Sequence, residues 1–370
     1  MFEKKILYIF GSGRLNRLNS ETSNFEFFYG YNFFQKKYPD LLQAIEMLPN
    51  SEIGNRRLLS IFDRVLNKFL KLPFYSQLIL TYKNYKIAKN SDIILCTNDR
   101  IALSIMPITL MLSNKKVFVI VMGLFANKKH NFLVNSFQEI VIKILLKNTE
   151  KFIFLGNGEL NEAISRFPKY KNKFEFLPFA VDSNFWQMKS KKNKEIDLLF
   201  VGNDGNRDFK FLYELAINLK NFNLTIISSE FNYDTSNLPN VTVIKGNWNN
   251  NFLEDETIRD FYQKSTLTLI PLKPSLQPSG QSVALQSLST GTPILITETD
   301  GFWDKKKFLD NEHLFFMKNN SVDLWFDKIT TLLNNKQLLE QVSKQGQKLV
   351  NESYNIDEFN NKLFNIIAYE

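Results

Sequence analysis

Twice along the chain a short, nearly unbroken apolar run ends on glycine and hands over to a stretch with helical spacing. The first is Lys4-Lys-Ile-Leu-Tyr-Ile-Phe10, closing on Gly11-Ser-Gly13-Arg14; the second is Ile196-Asp-Leu-Leu-Phe-Val201, closing on Gly202-Asn-Asp-Gly205-Asn-Arg-Asp208. A strand that is apolar on both faces must be covered on both, which parallel sheets flanked by helices achieve. Each start is followed by more runs of the same kind. Ser91–Cys96, Lys116–Met122 and Lys151–Leu155 follow the first; Asn223–Ile227, Val241–Ile244, Leu267–Ile270 and Ile294–Ile296 follow the second. Helical stretches of about a dozen residues separate them, as βα units require. One of these helices, Ile101–Leu112, contains Pro107, which is expected to kink or shorten it. The sequence predicts an α/β chain of two successive Rossmann-like halves, and 370 residues exceed one ordinary core.

The first half closes on Phe174-Glu-Phe-Leu-Pro-Phe-Ala-Val-Asp-Ser-Asn-Phe-Trp186, and Gln187–Glu195, rich in Lys and without apolar periodicity, reads as a linker. This sets domains of 1–186 and 187–354.

Within the second half, Leu267-Thr-Leu-Ile-Pro-Leu272 leads through Pro278-Ser-Gly-Gln281 into helical spacing at Val283, Leu285 and Leu288, which Gly291-Thr-Pro293 stops. In a strand–loop–helix unit the loop amides and the helix dipole point the same way. The backbone from Ser279 through Gly280 and Gln281 to Ser282 is therefore a candidate anion site, with hydroxyls from the two serines and close backbone approach at Gly280.

Composition narrows the chemistry. Apolar residues make up 44% and charged residues 23%, as in a globular protein. The single cysteine, Cys96, excludes a disulfide framework, and no Cys/His spacing suits a metal, so neither a metal nor a cofactor is expected. The lone cysteine makes the expected location cytoplasmic, and because no stretch approaches about 18 uninterrupted apolar residues, no bilayer crossing is expected. A net charge of +8 favours an anionic partner. The basic residues are dispersed and form no nucleic-acid module, so no nucleic-acid partner is expected. Two helical patterns, Arg56–Leu72 and Tyr75–Lys89, combine Leu59, Ile61, Phe62, Leu66 and Phe69 with Arg56, Arg57, Arg64, Lys68 and Lys71. They read either as a solvated basic face over an ordinary core or as a surface that rests peripherally on an anionic membrane.

The string from Leu276 to Ile296 resembles the donor-binding segment of GT-B glycosyltransferases of family 4, where two glutamates eight positions apart frame a Gly-rich loop. In this chain those positions hold Pro278 and Gln286. The resemblance implies two Rossmann-like domains with parallel sheets facing a central cleft, and a C-terminal helix, about 355–370, that packs back on the first domain. It further implies a nucleotide-diphosphate sugar as donor, a glycan or lipid-linked acceptor, and metal-independent, retaining transfer. Arg207 stands where the family places a phosphate-contacting basic residue just after Gly202, and Asn203 stands where a second basic residue is common. Gln286 falls at the ribose-binding position. His130, seven residues beyond Gly123, is the counterpart of a histidine near the reacting sugar. Transfer builds negative charge on the leaving diphosphate, so Arg207 and the loop amides are the expected catalytic electrostatics. Gly11, Gly13, Asp300 and Trp303 are expected on the acceptor or sugar side, Trp303 as a stacking surface. Two other readings stand beside this one: a GT-B subunit that binds nucleotide sugar without catalysis, and a sugar-nucleotide epimerase or hydrolase.

Overall fold

The computed structural model describes residues 2–18, 24–49, 57–126, 131–187, 193–246 and 253–368. The chain forms two compact units: Met1–Glu21, Phe27–Leu177 and Asn360–Glu370 make up the first, Thr22–Glu26 and Pro178–Phe359 the second. Where the sequence sets its boundary after Trp186, the contacts divide after Leu177. Trp186 stays with the second unit because its buried indole lies edge-on against Tyr262, 5.9 Å between ring centroids. Most of the expected linker, 188–192, lies outside the described residues.

The first unit carries a six-stranded parallel sheet. Its strands are β1 (Ile6–Phe10), β2 (Leu42–Glu46), β3 (Ile93–Cys96), β4 (Lys116–Val121), β5 (Lys151–Phe154) and β6 (Phe174–Phe176), in the order β2-β1-β3-β4-β5-β6. Every residue of β1 and β3 is buried, as strands covered on both faces must be. The helices are α1 (Arg14–Leu18), α2 (Tyr31–Lys37), α3 (Arg57–Leu70), α4 (Tyr82–Lys89), α5 (Asp99–Met111), α6 (Phe132–Asn148) and α7 (Asn157–Arg166). Ile9, Cys96, Val119 and Phe152 from the sheet share one core with Leu103, Ile142 and Leu145 from the helices. Pro107 does not end α5: the helix runs through it, held by the burial of Leu103, Ile105 and Ile108. α4 begins at Tyr82 rather than Tyr75, because Thr81 caps it by accepting from the Asn84 N–H.

The second unit opens with α8 (Ser183–Trp186) and is built on β7 (Ile196–Val201), α9 (Phe209–Asn218), β8 (Leu224–Ile227), β9 (Val241–Ile244), α10 (Asp255–Lys264) and β10 (Ser265–Ile270). It continues with α11 (Gln281–Ser289), β11 (Ile294–Thr297), β12 (Phe315–Met317), α12 (Val322–Leu333), α13 (Lys336–Ser353) and α14 (Ile356–Ala368), whose residues from Asn360 onward belong to the first unit. All neighbouring strands pair in parallel, in the order β12-β11-β10-β7-β8-β9. This is the Rossmann order, with its reversal between β7 and β10. In such sheets ligands bind beyond the carboxyl ends of the strands flanking the reversal, where two loops run to opposite faces and part. Here those loops are 202–208 and 271–280. In the first unit the reversal lies between β1 and β3, so its counterpart loops are those after Phe10 and after Cys96.

Candidate functional site

The loops after β7 and β10 are joined along their length. Arg207 and Leu272 form an antiparallel bridge, the Asp208 N–H donates to the Pro271 carbonyl (3.1 Å), and the Lys273 N–H donates to the Asn206 carbonyl (2.8 Å). Asn206 Nδ2 donates to Ser279 Oγ at 2.7 Å and to Gln277 Oε1 at 3.3 Å. From behind, Asn320 Nδ2 donates to Asp208 Oδ2 (2.9 Å) and to the Leu272 carbonyl (3.0 Å). A third loop supports the turn: a Cβ on Gly301 would stand 2.4 Å from the Gln277 carbonyl oxygen, so backbone packs on backbone there and only glycine fits.

Arg207 lies at the centre of this arrangement. It is 2% exposed, and its guanidinium fills the space between two glycines. A Cβ at Gly202 would meet Arg207 Nε at 2.4 Å, and one at Gly280 would meet Arg207 Nη1 at 2.8 Å. Nε lies 3.0 Å from Asp204 Oδ2, while Nη1 is buried and makes no hydrogen bond. A buried donor without a protein partner is costly, so Nη1 is a donor that an anionic ligand at this turn would satisfy. Gly280, in the left-handed conformation at φ 75°, is the N-cap of α11, and no side chain caps that helix. The amides of Gln281, Ser282 and Val283 therefore start a helix beside a buried guanidinium whose Nε side is ion-paired with Asp204 and whose Nη1 faces Gly280. Ser279 and Ser282 are partly exposed at that turn, and Gln281 is buried.

Other expected residues have different roles. Asn203 is held on three sides: its Nδ2 donates to the Gly246 carbonyl (2.8 Å), and its Oδ1 accepts from Ser228 Oγ (3.0 Å) and the Ser229 N–H (2.7 Å). It ties together the strand ends of β7, β8 and β9, a structural task that occupies its Oδ1 and one of its two amide hydrogens. Trp303 is fully buried, stacked on Phe302 at 4.0 Å and edge-on to Phe308. Its faces are taken up by packing, so the stacking expectation is corrected. Asp300 is exposed on the same loop. Gly11 and Gly13 end β1 in the first unit; a methyl on either would meet nothing within 4 Å, and Gly13 needs its glycine for φ 81°. His130 lies outside the described residues.

Gln286 shows what sequence reasoning missed. It is buried on α11; its Nε2 donates to Glu26 Oε1 at 2.6 Å, and its Oε1 accepts from the Tyr262 hydroxyl at 3.3 Å. Glu26 comes from the short segment Thr22–Glu26 that belongs to the second unit although its sequence neighbours belong to the first. Trp186 Nε1 (2.8 Å) and the Asp182 N–H (3.1 Å) also donate to its carboxylate. Burial pushes Glu26 up to about 8, against the pull of these donors, of which Gln286 is the strongest. The position that carries a carboxylate in the resembled family is an amide here, and a carboxylate from the far end of the chain sits against it.

The first unit has its own buried acids. Glu159, at the start of α7, accepts from the Gly123 (3.0 Å) and Phe125 (2.8 Å) N–H groups, and Asp99 Oδ1 accepts from the Met122 N–H at 2.9 Å. Burial, then the nearby Asp99, pushes Glu159 up to about 8. Together they fix the loop that follows β4. Among the described residues no cluster of three or more His, Cys, Asp or Glu is placed to hold a metal.

No protein-family model matches the chain, and no curated protein matches it significantly. Solved structures match it over its full length. HepE of Anabaena in complex with UDP-glucose superposes with a TM-score of 0.70 at 10% identity, covering 100% of both chains. The fold is GT-B. Sucrose-phosphate synthase of Thermosynechococcus elongatus gives a TM-score of 0.68 at 12% identity over 97% of both chains. A glycosyltransferase from Rickettsia africae gives 0.62 at 13% identity, over 99% of this chain and 98% of its own. At these identities the GT-B likeness is one of architecture, and what the site does must be argued from its own residues.

Proposed function

We propose that the chain is a glycosyltransferase whose second unit holds a nucleotide-diphosphate sugar, with the diphosphate on the turn from Ser279 to Ser282 and Arg207 behind it. The observation that carries this reading is the buried, unbonded Nη1 of Arg207 lodged against Gly280, at the start of an uncapped helix and at the reversal of a Rossmann-ordered sheet. A uridine nucleotide is the first donor to test, since HepE was solved with UDP-glucose. In the reaction the bond between the sugar's anomeric carbon and the diphosphate oxygen breaks, and a bond to an acceptor hydroxyl forms as that hydroxyl's proton passes to the departing diphosphate. The charge left on the diphosphate is met by the loop amides and the Arg207 guanidinium, so no metal is needed to neutralise it. Gln286, oriented by Glu26 and Tyr262, is assigned to the ribose. Transfer with retention of anomeric configuration and a glycan or lipid-linked acceptor complete the reading.

A second reading, a unit that binds nucleotide sugar without turning it over, is favoured by one observation: neither Pro278 nor Gln286 supplies the carboxylate of the resembled family. Donor hydrolysis by the purified chain separates the two. Turnover of UDP-glucose that disappears in Arg207→Met supports the enzyme; tight UDP binding with no turnover of any nucleotide sugar supports the binder.

A further inference from the structure

In the first unit, α3 and α6 are neighbours, tied by Gln138 Nε2 donating to the Leu70 carbonyl at 2.7 Å. Both turn an apolar face away from the core. On α3, Leu58 (84% exposed), Ile61, Phe62, Val65 and Phe69 (68%) are exposed at spacings of three and four, one continuous stripe of a helix. The core is served by a different face, where Leu70 and Asp63 are buried and Asp63 accepts from the Gln77 N–H. On α6, Phe132 (81%), Leu133 (66%), Phe137, Ile140 and Ile144 repeat the pattern, while Gln138, Ile142 and Leu145 face inward. Leaving ten large apolar side chains in water on two adjacent helices opposes the hydrophobic effect, and clusters of this kind mark surfaces that are covered in use.

The charges beside the stripes indicate what covers them. Arg64, Lys68 and Lys71 are exposed on or just after α3, and Lys143 and Lys147 on α6, along the edges of the apolar faces. Of these, Lys143 has an acidic neighbour on its own helix, Glu139 at 3.5 Å. A second copy of the chain would bring these cations against themselves. An anionic bilayer offers phosphates to the cations and acyl chains to the stripes, and the four phenylalanines suit the boundary between them. Among the described residues no helix is long and apolar enough to cross a membrane, so the contact is peripheral.

We propose that the α3–α6 face docks the chain on an anionic lipid surface. This goes beyond the donor reading and stands or falls without it. The test is flotation of the full chain with vesicles of phosphatidylcholine containing phosphatidylglycerol, beside vesicles of phosphatidylcholine alone. The wild type is expected to float with the anionic vesicles only and to be released by salt. Phe62→Asp with Phe69→Asp, and separately Leu133→Asp with Phe137→Asp, are expected to weaken this by about tenfold or more, since each removes two apolar anchors. These side chains are exposed, so the melting temperature and UDP binding should not change. A wild type that stays unbound to anionic vesicles, equal binding to neutral ones, or undiminished flotation of both variants overturns the proposal. So does a concentration-dependent dimer that the same variants abolish, which would assign the face to a second copy.

Discussion

Both units place a glycine-bearing turn at the reversal of a parallel sheet, yet the two turns are built in opposite ways. In the second unit Gly202 and Gly280 are filled by a guanidinium, the loops are stitched to one another, and positive charge is buried at the turn. In the first, Gly11 and Gly13 border open space, and the buried ionisable groups near the reversal are acids whose burial favours the neutral form, Asp99 at the start of α5 and Glu159 at the start of α7. A preorganised positive turn suits an anion that must be held in one geometry, because its donors do not reorganise when charge develops. An open turn suits a neutral ligand admitted by shape. On the proposed donor reading, the same topology carries two different turns whose chemistry is set by a few side chains.

The largest effect expected from breaking this contrast is at Arg207. Arg207→Met keeps much of the volume and removes the charge; transfer or donor hydrolysis should fall about 10²- to 10³-fold, as when one main electrostatic donor is lost, measured as kcat/KM beside a circular-dichroism check of folding. Next come the glycines of the stitched loops. Gly301→Ala sets a methyl 2.4 Å from the Gln277 carbonyl oxygen, and Gly280→Ala adds a methyl 2.8 Å from Ile270 Cγ2 at φ 75°. Each should cost about 1–3 kcal/mol in a denaturant titration and weaken UDP binding. By contrast, Gly11→Ala meets nothing within 4 Å. It should change stability by less than about 0.5 kcal/mol and leave UDP affinity intact.

Glu26 adds a pH dependence. Its value in the fold is raised from 4.5 to about 8, so the stability it contributes is complete below about 4.5 and is lost as pH rises through 8. Glu159, raised to about 8 as well, acts in the same direction. The unfolding free energy should therefore decline between these pH values, and Glu26→Gln should flatten the decline by up to about 1.4 kcal/mol per pH unit, read from denaturant midpoints across pH.

The architecture is legible in the sequence because strands buried on both faces leave unbroken apolar runs, and each such run from Ile6 to Ile296 became a strand of a parallel sheet. β2 leaves no such run: Leu42-Gln-Ala-Ile-Glu46 is only partly buried at the sheet edge and is built of good helix formers. Pro107 reads as a helix breaker, but burial of its neighbours outweighs the lost hydrogen bond. At the site, sequence marks Arg207, Gly202 and Gly280 singly. That the guanidinium fills the gap between the two glycines depends on a bridge between loops over sixty residues apart, which no local pattern encodes. Glu26 is less legible still, since its partner Gln286 is 260 positions away. Trp303 misleads for the opposite reason: an aromatic on a polar loop reads as exposed, and this one is in the core of its unit.

The central claim is that Arg207 and the start of α11 together hold a diphosphate. Calorimetric titration of UDP into the wild type and into Arg207→Lys tests it most directly, because lysine keeps the charge but loses the Nη1 beside Gly280. UDP should bind the wild type and lose about tenfold or more in affinity to the lysine variant, with UMP bound weakly by both. A folded Arg207→Lys that binds UDP as tightly as the wild type, or a wild type that does not distinguish UDP from UMP, would contradict it.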